Sequence, residues 1–130
     1  MAHPLLRPSL VRILVVDDEV ALARLLALTL KTLGHDPVLS FNPEDALRCL
    51  DQRIDAVISD LNMPYMDGVE LAHKIRALAP EMPIAFCTGS DPADELTRAA
   101  SRLGMVIPKM YTLQQLKAAL EAFRAASLAS

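Results

Sequence analysis

The stretch VRILVVDDE, residues 11–19, decides how the rest of the chain is read. From Val11 to Val16 it is apolar apart from Arg12 and rich in β-branched residues, the composition of a short strand. It stops abruptly at Asp17 and Asp18. A strand with apolar side chains at successive positions is buried on both faces and has to be covered by helices on both sides. Residues 19–33 supply the first of these. Val20, Ala23, Leu26, Leu30 and Leu33 recur at helical spacing, and Gly34 stands where a left-handed residue ends a helix.

The same alternation continues along the chain. Pro37 to Phe41 reads as a second strand, and Asn42 caps a helix that begins at Pro43 with Glu44 and Asp45 in its first turn. Ala56 to Ser59 is a third apolar run and ends at Asp60. Asp67 then caps a helix carrying Val69, Leu71, Ala72, Ile75 and Leu78, stopped by Pro80. Pro83 to Cys87 is a fourth strand followed by Thr88-Gly89, and Asp91 with Pro92 opens a fourth helix with Asp94 and Glu95 in its first turn. Met105 to Ile107 is a fifth strand. Thr112 caps a last helix with Leu113, Leu116, Leu120 and Phe123 on one face. Five βα units in series predict an α/β domain with a parallel sheet, and right-handed crossovers place all five strand C-termini along one edge. Residues 1–10, with Pro4 and Pro8, read as an N-terminal tail, and 11–127 as the domain.

Composition narrows the class further. A chain of 130 residues suits one domain, and 52% apolar residues exclude disorder for its bulk. A formal charge of −3 gives no cationic footprint for nucleic acid. No apolar run reaches the roughly 18 residues of a membrane helix; Arg24 interrupts the best one, Val20 to Leu30. Pro4, Arg7, Pro8 and Arg12 break up the apolar stretch that a secretory signal requires. Cys49 and Cys87 lack Cys-x-x-Cys spacing and read as buried thiols in a reducing, cytoplasmic setting. His3, His35 and His73 form no pair with metal spacing and read as structural or surface residues.

In open α/β sheets ligands bind at the C-terminal strand edge. Here that edge carries Asp17 and Asp18 after strand one, Asp60 after strand three, Thr88 after strand four and Lys109 after strand five. Any one of these is ordinarily a turn, cap or surface residue; their conjunction is the signal. Carboxylates held together repel unless a cation neutralises them, and Mg²⁺ takes such oxygen ligands while keeping positions for water or phosphate. Lys109 offers a charge and Thr88 a hydrogen bond to phosphoryl oxygens, and Asp60 between them is placed to act as a carboxylate nucleophile.

Four segments carry a family resemblance: VRILVVDDE (11–19), IDAVISDLNMPYMDGVEL (54–71), PIAFCTGS (83–90) and VIPKMY (106–111). They resemble the receiver domain of bacterial response regulators, the chemotaxis-regulator type of two-component signalling, over about residues 11–126. The segment Asp60-Leu61-Asn62-Met63-Pro64 followed by Met66-Asp67-Gly68 is its most specific signature. The resemblance implies a flavodoxin-like doubly wound fold of five parallel strands in the order 2-1-3-4-5 with five helices. It implies that Asp60 is the phosphoacceptor and that Asp18, Asp60 and the Asn62 carbonyl bind Mg²⁺, with Asp17 acting through a metal-bound water. By the same resemblance Thr88 is the switch hydroxyl, Lys109 pairs with Asp60 and later with the phosphate, and Asn62 and Ser90 tune hydrolysis of the phosphoryl group. Pro64 and Gly68 shape the loop beside the acceptor.

Two positions depart from the family pattern. Receivers carry an aromatic switch residue three places before the lysine, where this chain has the stiff, ringless Val106. They also carry Lys-Pro with a cis bond, where this chain has Met110 after Lys109; a cis bond there costs roughly 2.5–4 kcal/mol, so trans is expected. Tyr111 is expected in the core. Ala93, Leu96, Ala99 and Ala100 give the fourth helix little to bury, which marks it as a mobile output element.

The function expected is that of a phosphorylatable signalling module. It accepts phosphoryl from a sensor histidine kinase or histidine phosphotransfer protein and answers through the face of the fourth helix, fifth strand and last helix, or passes the group on. It catalyses only its own modification, contacts neither nucleic acid nor membrane, and is either free-standing or part of a longer regulator or hybrid kinase. The alternative is a Mg²⁺-dependent aspartyl-phosphate phosphohydrolase. Such enzymes place an acid–base Asp two residues after the nucleophile, where this chain has Asn62. A metal-independent scaffold conflicts with the intact Asp17, Asp18, Asp60 and Lys109. A flavin domain conflicts with the lack of a Ser/Thr/Gly-rich loop after strand one.

Overall fold

Short apolar runs of four or five residues cannot satisfy their own peptide groups, so they pair side by side. In the computed structural model, which describes residues 11–129, β1 (Arg12–Val16), β2 (Asp36–Ser40), β3 (Ala56–Asp60), β4 (Ile84–Thr88) and β5 (Met105–Pro108) form one sheet. All pairs are parallel and the order is β2-β1-β3-β4-β5, as the sequence implied. The tail assigned to residues 1–10 lies outside the described residues. Helices α1 (Val20–Thr32), α2 (Pro43–Cys49), α3 (Gly68–Leu78), α4 (Glu95–Ser101) and α5 (Leu113–Ala129) alternate with the strands.

The period-two alternation of each strand sorts its side chains onto two separate cores. Ile13, Val15, Ile58, Ala85 and Ile107 face Ala23, Leu26 and Leu30 of α1 and Leu116, Leu120 and Phe123 of α5. Leu14, Val16, Val57 and Phe86 face Leu71 and Ile75 of α3, Ala46 of α2 and Ala100 of α4. Phe86, Ile13, Leu14 and Ile58 are completely enclosed, each contributing roughly 1.5–3 kcal/mol of burial.

Helix ends follow the residues that mark them. Gly34 has φ +92°, and the His35 and Gly34 amides bond back to the Leu30 and Lys31 carbonyls, the Schellman closure of α1. Asn42 accepts from the Asp45 amide, and Asp67 and Glu70 form a reciprocal capping box at α3. The Thr112 hydroxyl accepts from the Gln115 amide while Gln115 accepts from the Thr112 amide, giving α5 the same closure. At α4 the expected start is displaced. Asp91 accepts from the Ala93 amide in a local turn, and the helix begins only at Glu95, capped by Asp94. An aspartate before proline serves a turn as readily as a helix cap, and Asp94 offers the better cap.

Strand ends shift by a residue, and the shift places the site. Asp60 and Thr88 are the last residues of β3 and β4 instead of the first beyond them. Val16 lies opposite Ser59, so Asp17 follows level with Asp60. Asp60 lies opposite Cys87, and Thr88 opposite Pro108, so Thr88 and Lys109 follow in turn along the rim. Gly68 begins α3 directly against this rim: a Cβ there would stand 2.7 Å from the Asp60 carbonyl oxygen and 3.0 Å from the Leu61 Cα, so no larger residue fits without moving the end of β3.

Helix α4 is lightly held. It is seven residues long and buries only Thr97 and Ala100, and the enclosed Thr97 hydroxyl has no hydrogen-bond partner. An unpaired buried hydroxyl costs roughly 1–3 kcal/mol. Thr97→Val, which keeps the shape, should raise the urea midpoint by the equivalent of about 1 kcal/mol and slow amide exchange across α4. In the wild-type chain those amides should exchange faster than the amides of β3; equal protection of the two elements would refute the assignment.

Candidate functional site

The rim of the sheet between β1, β3 and β5 gathers charge. Burial at the end of β3 leaves the Asp60 side chain 4% exposed, and Asp17 is nearly as enclosed. The Lys109 amide bonds to the Thr88 carbonyl, which fixes the start of the lysine at the end of β5. Its ammonium then reaches back over the rim to Asp60 at 3.2 Å, Glu19 at 3.2 Å and Asp17 at 3.5 Å. Asp17 accepts the Glu19 amide at 2.9 Å, a local turn that brings Glu19, at the N-terminus of α1, over the site. One oxygen from each of Asp17, Glu19 and Asp60 lies within 4.8 Å of the others.

One ammonium facing three carboxylates leaves negative charge uncompensated. Burial pushes the Asp60 carboxyl up from the ordinary 3.8 to about 6, and Asp17 adds to the rise; Lys109 and the Asn62 amide oppose it. For Lys109 burial acts downward, and the charges of Asp60 and Asp17 overcome it and raise the ammonium above its usual range. The Cys87 thiol, opposite Asp60, is pushed up to about 12, first by burial and then by Asp60, which keeps it an inert buried thiol. Cys49 is only half-buried, a departure from the expected enclosure.

A second group hangs on Asn62. Its backbone amide points to Asp60 Oδ1 at 3.4 Å, while its side-chain Nδ2 donates to Thr88 Oγ1 and to Ser90 Oγ, both at 3.1 Å. The Ser90 amide also donates to Thr88 Oγ1, at 3.0 Å. Val106 is half-buried and packs against the core that holds Phe86 and Ala100. The Lys109–Met110 bond is trans, and Tyr111 packs against the α1–α5 core. Beside Lys109 a cleft of about 180 Å³ opens between Leu22, Leu25 and Leu26 of α1 and Met110 and Tyr111.

The structure thus brings together Asp17, Asp60 and Lys109, and joins Asn62 to Thr88. Asp18 is exposed and stands outside the gathered carboxylates. Glu19 stands inside them and was not singled out from the sequence, although a third acid directly after Asp17-Asp18 was the available signal. Among the described residues no helix is long and apolar enough to cross a membrane. His35 accepts from the Val11 amide through Nδ1, and His73 is exposed.

Such a site, with acids and a lysine at the switch edge of a doubly wound sheet, defines a class of phosphoryl-handling signalling domains. Residues 13–121 match the family described as the response regulator receiver domain. The chain belongs to that family, the receivers of two-component signalling. It is 39% identical over 113 residues to the sensor histidine kinase RcsC of Salmonella typhi, with 85% of this chain and 12% of that protein aligned. It is 36% identical over 118 residues to a chemotaxis protein CheY homolog of Campylobacter jejuni, covering 85% of this chain and 89% of that one. Among solved structures, the signal receiver domain of an HD domain-containing protein from Pseudomonas fluorescens Pf-5 superposes with a TM-score of 0.82 at 28% identity, over 92% of this chain and 98% of that one. The chain therefore spans about an eighth of the kinases it matches and most of the chemotaxis protein.

The raised Asp60 carboxyl makes stability fall with pH. Below about pH 4 Asp60 is protonated in the folded and unfolded chain alike. Between about pH 4 and 6 the unfolded chain has released its proton and the folded chain retains it, so stability declines across that window. Without divalent cations, Asp60→Asn should therefore be more stable than wild type at pH 7.5 by up to about 3 kcal/mol, a gain that fades below pH 4. Urea unfolding at both pH values reads this directly. A gain of equal size at pH 3.5 would contradict it.

Proposed function

We propose that residues 11–127 act as a receiver domain that takes a phosphoryl group onto Asp60. The observation that carries this reading is the Lys109 ammonium shared among Asp60, Glu19 and Asp17 around a carboxyl held at the end of β3. In the transfer, an Asp60 oxygen forms the new bond to phosphorus. The bond from phosphorus to the donor, an imidazole nitrogen of a phosphohistidine or the acyl oxygen of acetyl phosphate, breaks with its electrons leaving on the donor. Lys109, already aimed at Asp60, follows the negative charge to the phosphoryl oxygens, and the Thr88 hydroxyl supplies a hydrogen bond to one of them.

The gathered carboxylate oxygens suit a hard divalent cation and offer no nitrogen or sulfur donor. We assign Mg²⁺ to Asp17, Asp18, Asp60 and the Asn62 carbonyl on the family resemblance, with Glu19 in the same group on geometry. When bound, the ion neutralises charge on the carboxylates and the incoming phosphoryl oxygens. The donor is a sensor histidine kinase or a histidine phosphotransfer protein. The exposed Leu25 and Leu28 of α1, with Met110 and Leu113 near the site, give such a partner an apolar approach. The answer passes through the α4–β5–α5 face, where Val106 replaces the swinging ring and Met105 is exposed, or the phosphoryl group is handed on in a relay. The domain acts in the cytoplasm, consistent with its two free cysteines, and turns over no small substrate.

Incubation with acetyl phosphate and Mg²⁺, followed by intact mass, tests the assignment. Wild type should gain one phosphoryl group; Asp60→Asn, or wild type with excess EDTA, should gain none. Equal labelling of Asp60→Asn would overturn it.

A further inference from the structure

A hydroxyl has one proton to give and two lone pairs that accept. Both lone pairs of Thr88 Oγ1 are occupied here, one by the Ser90 amide and one by the Asn62 carboxamide nitrogen. The Asn62 nitrogen gives its second proton to Ser90 Oγ, so both N–H groups of the carboxamide are engaged across the gap between the two loops. The Asn62 backbone amide is directed at Asp60 as well. One residue therefore ties the nucleophile's loop to the hydroxyl on the neighbouring strand.

We propose that Asn62 is a positioning residue that acts through Thr88. By filling an acceptor site on Oγ1, it holds the Thr88 side chain at the rim and leaves its proton as the only group still to be donated, ready for an oxygen arriving on Asp60. This rests on the reading of Asp60 as acceptor. It differs from a direct action of Asn62 on water, because its effect passes entirely through the threonine hydroxyl. The interaction is worth most when the phosphoryl oxygen carries the charge of transfer, so its loss lowers the saturating rate more than it changes the half-saturating donor concentration.

A double-mutant cycle with Asn62→Leu, close in size but without N–H groups, and Thr88→Val, close in size but without the hydroxyl, tests the proposal. The readout is autophosphorylation by acetyl phosphate over a range of concentrations. In the Thr88 background, Asn62→Leu should lower the saturating rate roughly five- to tenfold, the worth of one hydrogen bond of about 1 kcal/mol. In the Thr88→Val background the same change should have almost no effect. The same fold-loss in both backgrounds overturns the proposal. A spectroscopic readout stands apart from activity: three-bond couplings to the Thr88 methyl should report one χ1 rotamer in the unphosphorylated wild type and averaging in Asn62→Leu. Unchanged couplings overturn it too. Where Asn62→Leu does not fold, Asn62→Ala takes its place in the cycle. If wild type takes up no phosphoryl group at all, the reading of Asp60 fails, and the Thr88 couplings alone decide the role of Asn62.

Discussion

The attraction of one lysine for three acids governs this molecule. Lys109 at the end of β5 reaches across the rim to Asp17 and Glu19 after β1 and to Asp60 at the end of β3, so a single ammonium links the last strand to the ends of β1 and β3. Without that charge, the buried Asp17 and Asp60 carboxylates would repel one another and the exposed Glu19, and would take up protons. With it they remain an unbalanced group whose charge a hard cation or a phosphoryl oxygen changes at once. The sheet supplies the rigidity behind this arrangement: Asp60 closes the fully buried β3, and Asp17 directly follows the buried end of β1.

That rigidity was largely legible in the residues. Runs of apolar, β-branched side chains ended by Asp17, Asp60 and Thr88 mark strands covered on both sides, and their alternation with capped helical stripes leaves little freedom in topology. Gly34 and Asp67 act as their types dictate, because the left-handed turn and the capping box depend on residues within a few positions of each other. The start of α4 was not legible, since Asp91 and Asp94 both suit a cap and only the local turn at Asp91 decides between them.

The interior of the site was legible in kind and less so in detail. Residue types at strand ends name Asp17, Asp60, Thr88 and Lys109, but which of three successive acids turns inward depends on how the chain leaves β1. The backbone bond from Glu19 to Asp17 accompanies the entry of Glu19 into the gathered oxygens, and Asp18 stands outside them. The union of Asn62, Thr88 and Ser90 spans two loops far apart in sequence, and only the register of β3 against β4 brings them together.

The division of the interior by the sheet has an evolutionary consequence. Lys109, Cys87 and the cleft against α1 lie over one packed half, while Val106 and α4 belong to the other, and the two halves share little beyond the strands themselves. Substitutions packed within one half can therefore be compensated within that half while the strands keep the rim in register. A lineage can repack one side of the sheet at one time and the other side at another.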